Sequence, residues 1–368
     1  MFNDSSNVNN TTPFPFETRA ANYGELFFAY ATPVIFVIGI IGNTLSFVIF
    51  LSKNLRKMSA SKYLAMLSAS DLCTLLFYVL SEWLRRGITF ISPTSRVTFF
   101  DRPGMCQIWL FLNYTSRLIS AWLIVAFTAE RFKAVVMPLR RRYYGFHKET
   151  SRMICGVCIA SCALAVYKPI MSDVNIHGHV PLCASKQSLT FESFILDSIY
   201  AIMITLLPFL IITCLNTLIV LKIIKRKRYS VNNFITAECH IRLDFTFILL
   251  AISFFFVAFN VPFFVVWVRQ FIHTTMLSKN YDDYDLEEEV TWAYWREILL
   301  VTRTIFYMNY CINFFLYSVT AACFRREFKA LFLRSRERNS SSVQEFKLTR
   351  AAVCKTHETL MKHSPSLV

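Results

Sequence analysis

The sequence predicts an all-α membrane protein: a bundle of seven transmembrane helices followed by a short amphipathic eighth helix. The composition, the blocks in which apolar residues occur and the distribution of basic residues all point to this fold class. The chain of 368 residues is 55% hydrophobic and 17% charged, and its mean hydropathy is +0.42. A soluble domain carries about 25% charged residues, so the composition favours a chain that lies mostly in lipid.

Seven apolar blocks are each long enough for the ~20 residues that a helix needs to cross a bilayer. In chain order they are Leu26–Leu51, Tyr63–Leu84, Met105–Phe127, Met153–Met171, Phe194–Ile224, Phe245–Val268 and Ile298–Ala322. The fourth block is the weakest, because Lys168 and Pro169 lie near its end. The longer connections on the predicted outer side are 81–106 and 168–194.

The bundle therefore occupies residues 26–322 and leaves a polar tail at each end of the chain. The amino-terminal tail, residues 1–25, carries glycosylation sequons at Asn3, Asn9 and Asn10. Residues 323–333 are basic and amphipathic, which predicts a helix on the membrane surface. The polar composition of residues 334–368 predicts a disordered tail.

Basic residues in short loops predict the orientation of the bundle. Lys and Arg follow the first, third, fifth and seventh blocks, as at Arg56, Arg141, Arg226 and Arg325, whereas the loop at 282–289 is acidic. We therefore expect a multi-pass protein of the plasma membrane with an extracellular amino terminus. The net charge of +15 then reflects cytoplasmic loops that face anionic lipid, and it does not indicate binding to nucleic acid.

The third block carries a polar stripe on one helical face. At about 100° per residue, Asn113, Arg117 and Ser120 all lie within about 40° of Arg131. Lipid cannot solvate such a stripe, so it must face the interior of the bundle. Asn and Ser side chains also bond neighbouring helices, which leaves a structural role open for Asn113 and Ser120. Arg117 needs a counter-charge or a ligand, and this favours a functional role.

Motifs in the order and spacing of a known family run from Leu26 to Leu333. They are Gly42-Asn43, Leu67–Asp71, Cys106 twenty-five residues before Arg131, Glu130-Arg131-Phe132, Pro208, Pro262, Asn313–Tyr317 and Phe324–Phe328. Together they resemble the rhodopsin-like (class A) G-protein-coupled receptors. Cys106 and Cys183 fall on the predicted outer side, where an oxidising compartment favours a disulfide.

Four features depart from the family pattern. Asn260 replaces the sixth-helix tryptophan, Phe314 the seventh-helix proline and Asn216 the fifth-helix tyrosine, and the fourth block has no tryptophan. Invertebrate FMRFamide- and myosuppressin-type receptors and some thyrotropin-releasing-hormone-like receptors share these departures. They leave open how activation proceeds without the tryptophan toggle and the proline hinge.

The resemblance implies a switch for a heterotrimeric G protein formed by Glu130, Arg131 and Tyr317. It also implies an allosteric sodium pocket around Asp71, since oxygen ligands suit a hard cation. The other members of that pocket are Ser120, Asn309 and Asn313, with Asn43 nearby. The alternative is a protonated Asp71 hydrogen-bonded to its neighbours, which desolvation favours.

The resemblance also places a ligand cavity in the outer half of the bundle. The residues expected to bind the ligand are Glu82, Asn113, Arg117, Asp197, Asn260, Arg303 and Tyr307, with Trp83 and Trp109 packing on its apolar groups. Mixed charges and aromatic residues favour a short, amidated neuropeptide. An amine is disfavoured, because Asn113 stands where amine receptors carry aspartate. Snorkelling at the membrane interface is the alternative role for the outer charges.

A chemosensory receptor for small molecules, with the same fold, is the alternative function. A transporter is disfavoured because repeated halves are not visible, and no enzymatic motif or cofactor site beyond the sodium ion is expected. The expected partners are a peptide, a G protein and membrane lipid. Arrestin and receptor kinases are expected at the Ser/Thr-rich tail, and a PDZ domain at Ser366–Val368 through strand addition.

Overall fold

A computed structural model describes residues 23–92, 97–136, 146–177, 180–229, 237–277, 286–331 and 333. Six helices in these segments are long and apolar enough to cross a membrane, and a bent helix pair supplies a seventh span. The seven predicted spans are therefore confirmed. The two tails lie outside the described residues, and with them the sequons at Asn3, Asn9 and Asn10 and the carboxy-terminal Ser366–Val368.

The helices are numbered α1 to α8 along the chain. The first three are α1, Tyr23–Phe50, α2, Ser59–Ile91, and α3, Met105–Val136. The fourth, α4, is Phe146–Ala165 continued by Tyr167–Met171, and α5 comprises Thr190–Ala201, Ile202–Leu206 and Leu207–Tyr229. The sixth, α6, is Ala237–Leu277, and α7 comprises Leu286–Tyr307, Met308–Tyr310 and Asn313–Thr320. Residues 322–331 form α8.

Most helices extend beyond the apolar blocks. The third continues past Phe127 to Val136, and α2 continues past Leu84 to Ile91 through π-helical turns at Leu75–Leu80 and Trp83–Gly87. The expectation of a loop from residue 81 was therefore wrong. Hydropathy marks only the part of a helix that lies in hydrocarbon, whereas the backbone hydrogen bonds continue into its polar ends.

A β-hairpin between α4 and α5 departs from the all-α expectation. Strands β1, Ser172–His177, and β2, Val180–Ser185, pair antiparallel with Val174 opposite Cys183. Cys183 forms the predicted disulfide with Cys106 at the start of α3, with a Cα–Cα distance of 5.6 Å. The crosslink holds the hairpin over one end of the bundle, which is called the disulfide end below.

The two ends of the bundle have separate buried cores. The core at the disulfide end includes Phe28, Tyr78 and Tyr307. The larger core reaches the opposite end, called the Arg131 end, and includes Phe127 and Phe245. Large apolar side chains on the outer surface are exposed, as expected for helices that face lipid.

The seventh span bends without a proline. Its two parts are inclined by 50°, although Phe314 stands at the position of the family's proline. Asn43 Nδ2 donates a 2.6 Å hydrogen bond to the Tyr310 carbonyl at this break, and Asn309 Nδ2 donates to the Phe306 carbonyl at 3.1 Å. A Cβ atom on Gly42 would lie 2.9 Å from the Phe314 Cβ atom. The Gly42-Asn43 pair thus lets α1 approach the bend and supplies a donor to the buried Tyr310 carbonyl there.

Candidate functional site

A cavity of about 320 Å³ lies between α2, α3, α5, α6 and α7. Six of the seven residues expected to bind a ligand line it, namely Glu82, Asn113, Arg117, Asp197, Asn260 and Arg303. Its volume is at the lower end of the range for small-molecule pockets, which begins at about 300 Å³. It can therefore hold a small molecule or the end of a longer chain.

Three aromatic residues expected at the cavity do not line it. Tyr307 is fully buried, with its ring 6.3 Å from Phe28 and 5.3 Å from Tyr78. Trp83 donates to the Ala29 carbonyl of α1, and Trp109 packs against Phe100. Each of the three points toward a neighbouring helix or loop, and their contact with a ligand stays a prediction. Other aromatic side chains line the cavity, namely Phe255, Phe256, Phe263, Phe264, Trp267 and Phe306.

Arg117 lies among tyrosine rings inside the cavity. Its guanidinium carbon is 4.2 Å from the ring centre of Tyr78, 4.9 Å from Tyr114 and 5.4 Å from Tyr200. Its Nε atom is buried without a hydrogen-bond partner. No carboxylate within the described segments forms a salt bridge with it, and Glu82 pairs with other arginines instead. Cation–π contacts therefore hold the charge of Arg117.

Glu82 joins α2 to α7 at the side of the cavity. Its Oε2 atom lies 3.1 Å from Arg303 Nη1 and 3.3 Å from Arg86 Nε. The side chains of Glu82 and Arg303 are only 15% and 12% exposed. Because the pair is largely desolvated, a ligand that inserts between the two groups must replace this contact with one of similar strength.

Asp197 is already bonded within the protein. Lys168 Nζ lies 2.6 Å from its Oδ2 atom, and the hydroxyl groups of Tyr167 and Tyr114 donate to Oδ1 at 2.9 and 3.4 Å. This cluster joins α4 to α5 and explains how the weakest predicted span accommodates a lysine. Asp197 does line the cavity, but its hydrogen-bonding capacity is largely used by α3 and α4.

Asp71 lies below the cavity, where its carboxylate connects two helices. Ser120 Oγ of α3 donates to Oδ1 at 2.6 Å, and Asn313 Nδ2 of α7 donates to Oδ2 at 2.7 Å. Ser120, Asn309 and Asn313 also line the floor of the cavity. The carboxylate, hydroxyl and amide oxygens present here are of the type that a sodium ion takes. The same hydrogen bonds are also expected if Asp71 is a protonated carboxyl group that only bonds its neighbours.

Glu130 and Arg131 form a buried pair at the Arg131 end. Arg131 Nη2 lies 3.1 Å from Glu130 Oε1, and the side chains are 3% and 8% exposed. Ser59 of α2 donates to the same carboxylate oxygen, and it lies 3.4 Å from Arg131 Nη2. The Arg131 guanidinium carbon is 5.9 Å from the ring centre of Phe245 on α6. A change in the α3–α6 distance would therefore alter the surroundings of this arginine.

The third member of the expected switch lies elsewhere. Tyr317 is fully buried, and its ring centre lies 5.0 Å from that of Phe50 on α1 and 5.6 Å from that of Phe324 on α8. In this arrangement Tyr317 belongs to the junction of α1, α7 and α8. The structure brings Glu130 and Arg131 together and leaves Tyr317 apart from them.

Comparison with known proteins decides the family. Residues 42–317 match the model of the family described as "7 transmembrane receptor (rhodopsin family)". The chain belongs to this rhodopsin family. It is therefore a multi-pass receptor of the plasma membrane and not an enzyme.

Several similar proteins are receptors. A probable G-protein coupled receptor of Caenorhabditis elegans is 25% identical over 60% of this chain, which spans about half of that relative (51%). The C-C chemokine receptor type 1 of Macaca fascicularis is 25% identical over 82% of this chain and 78% of the relative. The human neurotensin receptor type 1 is 24% identical over 80% of this chain and 73% of the relative. The finer resemblance to FMRFamide-type receptors stays a prediction.

Two features of this rhodopsin-family cavity were not predicted. Among the tyrosines around Arg117, only Tyr114 could have been found from helical spacing, since it lies three residues before Arg117 on the same helix. The partner of Asp197 could have been found in another way. Lys168 lies within an apolar span, where a lysine requires a counter-charge. The described residues contain no cluster of three or more His, Cys, Asp or Glu side chains that could hold a metal ion.

Proposed function

We propose that this chain is a receptor for a short neuropeptide that signals through a heterotrimeric G protein. The cavity carries the proposal, because it combines charges of both signs with aromatic side chains. The similarity to the neurotensin receptor supports the peptide class. In this proposal the disulfide end and the amino terminus are extracellular, and the Arg131 end meets the G protein in the cytoplasm.

The end of the peptide would enter the cavity while the rest stays outside. A volume of about 320 Å³ accommodates a few side chains and not a whole peptide. The resemblance to FMRFamide-type receptors favours an amidated end, whose N–H groups can donate to Glu82 while its carbonyl accepts from Arg303. Aromatic residues such as Phe263 and Phe306 would pack on apolar side chains of the ligand.

Signalling would follow from a shift between two helix packings. In the resting packing, Glu130 restrains Arg131 in the buried pair. An agonist that binds the other packing more tightly shifts the population toward that packing. The size of the shift is set by the difference between its affinities for the two packings. Arg131 is then released to meet the G protein. A sodium ion at Asp71 would oppose the shift by joining α3 and α7 in the resting packing.

A peptide screen with charge variants tests the proposal. Amidated and free-acid neuropeptides are applied to cells that express the receptor, and calcium and cAMP are measured. Glu82→Gln and Arg303→Gln are each expected to weaken the binding of an active peptide by about 2–5 kcal/mol, because the ligand group that contacts the removed charge is then buried without its charged partner. A peptide analogue that lacks the group contacting the replaced residue should bind the variant and the wild type equally well. Glu25→Gln is the control, since Glu25 pairs with Arg296 at the disulfide end but does not line the cavity.

The chemosensory alternative predicts a different outcome of the same screen. Activation by small non-peptide odorants alone, or unchanged peptide potency in both charge variants, would contradict the peptide proposal. The arrestin, kinase and PDZ partners are proposed for the carboxy-terminal tail, which lies outside the described residues.

A further inference from the structure

Among the described residues, the charges that line the cavity are not balanced. Three arginines line it, Arg86, Arg117 and Arg303, against two carboxylates, Glu82 and Asp197. Glu82 is shared between Arg86 and Arg303, while Asp197 is bound by Lys168, which adds a further positive charge. Both described carboxylates that line the cavity are therefore already paired with cations other than Arg117.

The tyrosines around Arg117 stabilise its charge but do not satisfy its hydrogen bonds. Ring faces attract a cation through their quadrupole, whereas a guanidinium also carries N–H donors in a fixed plane. Nε of Arg117 is buried and has no acceptor, and the three ring contacts are 4.2 to 5.4 Å long. Buried donors without acceptors are costly, so an incoming acceptor would gain more here than on the protein surface.

Arg117 lies deeper in the bundle than an arginine at the membrane interface. It lies on α3 between Asn113 and Ser120, both of which line the cavity. A planar group with two oxygens matches the arginine fork in a bidentate contact, and a neutral amide cannot supply two acceptors.

We propose that Arg117 receives a carboxylate of the ligand, so that this receptor selects ligands that carry one. This inference rests on the proposed function of the same cavity and specifies the ligand chemistry. The carboxylate comes either from a free carboxyl terminus or from an Asp or Glu side chain of a peptide with an amidated end. The two sources share one chemistry and are separated by the experiment.

The experiment measures the affinity of small probes for the purified, full-length receptor. The first pair is N-acetyl-phenylalanine and its amide, which differ in the terminal carboxylate. The second pair is N-acetyl-aspartyl-phenylalaninamide and its asparaginyl counterpart, which differ in the side-chain carboxylate. Affinity is obtained from the concentration-dependent rise in Tm at constant ionic strength. Phenylalanine is chosen because Phe263 and Phe306 line the cavity beside Arg303.

In the wild type, the acid of at least one pair is expected to bind about tenfold or more tightly than its neutral counterpart. The pair that shows the preference identifies the source. Arg117→Gln should abolish the preference, and Arg117→Lys should retain part of it, since it keeps the charge and loses the planar fork. Arg86→Gln is the matched control, because it removes one positive charge from the rim of the same cavity and should keep the preference.

Equal affinities for acid and amide in the wild type would overturn the inference, as would a preference that survives in Arg117→Gln. A preference lost equally in Arg86→Gln would also overturn it, since the effect would then be a general field. If Arg117→Gln does not fold, the wild type and Arg117→Lys decide. An acid preference in purified protein without activation by any peptide in cells would refute the peptide proposal alone. Peptide activation without an acid preference would refute this inference alone.

Discussion

Arg117 and Arg131 lie fourteen positions apart on α3, on nearly the same helical face, but their surroundings differ. Arg131 is 3% exposed and is held by Glu130, the residue beside it, with Ser59 of α2 on the same carboxylate. Arg117 has three tyrosine rings from α2, α3 and α5 and no carboxylate partner among the described residues. One arginine has a carboxylate partner inside the protein, and the other has none among the described residues.

The difference teaches that a buried arginine is not by itself evidence for one role. A charge paired within the fold resists change until the packing around it changes, which suits a switch. A charge that is stabilised by aromatic faces and has no carboxylate partner can still take one from a ligand, which suits a binding site. The partner of each arginine, rather than its position on the helix, distinguishes the two roles.

The largest effect is expected at Arg131. Arg131→Gln should abolish agonist-driven calcium and cAMP responses, because the proposed contact with the G protein is lost, while ligand affinity is retained. Binding and signalling are measured at equal surface expression. Lys133→Gln, which removes an exposed positive charge two residues away, is the control and should signal normally. Loss of ligand binding in Arg131→Gln would remove the distinction between the two arginines.

The next effect concerns the disulfide that ties the hairpin to the start of α3. Replacing both Cys106 and Cys183 with alanine should lower the free energy of unfolding by about 2–4 kcal/mol, because the unfolded chain gains conformational entropy when the crosslink is removed. Thermal unfolding of purified protein measures it. Cys155→Ala, an exposed free cysteine on α4, should leave Tm unchanged. An unchanged Tm in the double variant would contradict the structural role of the disulfide.

A smaller effect is expected at the partner of Arg131. Glu130→Gln removes the charge but keeps an acceptor for Ser59, so it isolates the ion pair. Loss of a charged hydrogen bond worth about 1.5–3 kcal/mol from the resting packing should raise basal signalling. Glu327→Gln is the control, since Glu327 bonds Asn54 at an exposed position near the same end. Unchanged basal signalling in Glu130→Gln at matched surface expression would contradict the restraint.

The sequence predicted the spans, the disulfide and the polar stripe, because hydrophobic blocks and helical periodicity report directly on burial. It did not predict the hairpin, although Val174 and Ile176 alternate with polar residues before Gly178, a pattern typical of a strand before a turn. The continuation of α2 to Ile91 was missed because hydropathy does not report on a helix outside hydrocarbon.

Side-chain partners across helices were harder to predict. The stripe placed Arg117 inside the bundle, but the rotation of α2 and α5 that brings Tyr78 and Tyr200 to it is set by packing of whole helices. For the same reason Tyr307 was expected in the cavity and lies instead between α1, α2 and α7. The bend between Tyr310 and Asn313 was not predicted because no proline marks it, and the bond from Asn43 of α1 to the Tyr310 carbonyl is a contact across helices.

The smallest effect is expected at Asp71, which bonds Ser120 at a position of α3 between the two arginines. If sodium binds there, it joins Ser120 on α3 to Asn313 on α7 and stabilises the resting packing, so replacing potassium with sodium at equal ionic strength should weaken agonist affinity. The linkage is expected to be at the lower end of about 1–3 kcal/mol. Asp71→Asn should abolish the sodium effect, whereas Asp173→Asn, at an exposed position of β1, should keep it. Agonist affinity in the wild type that is the same in both salts would identify Asp71 as a structural carboxyl group that bonds α3 to α7.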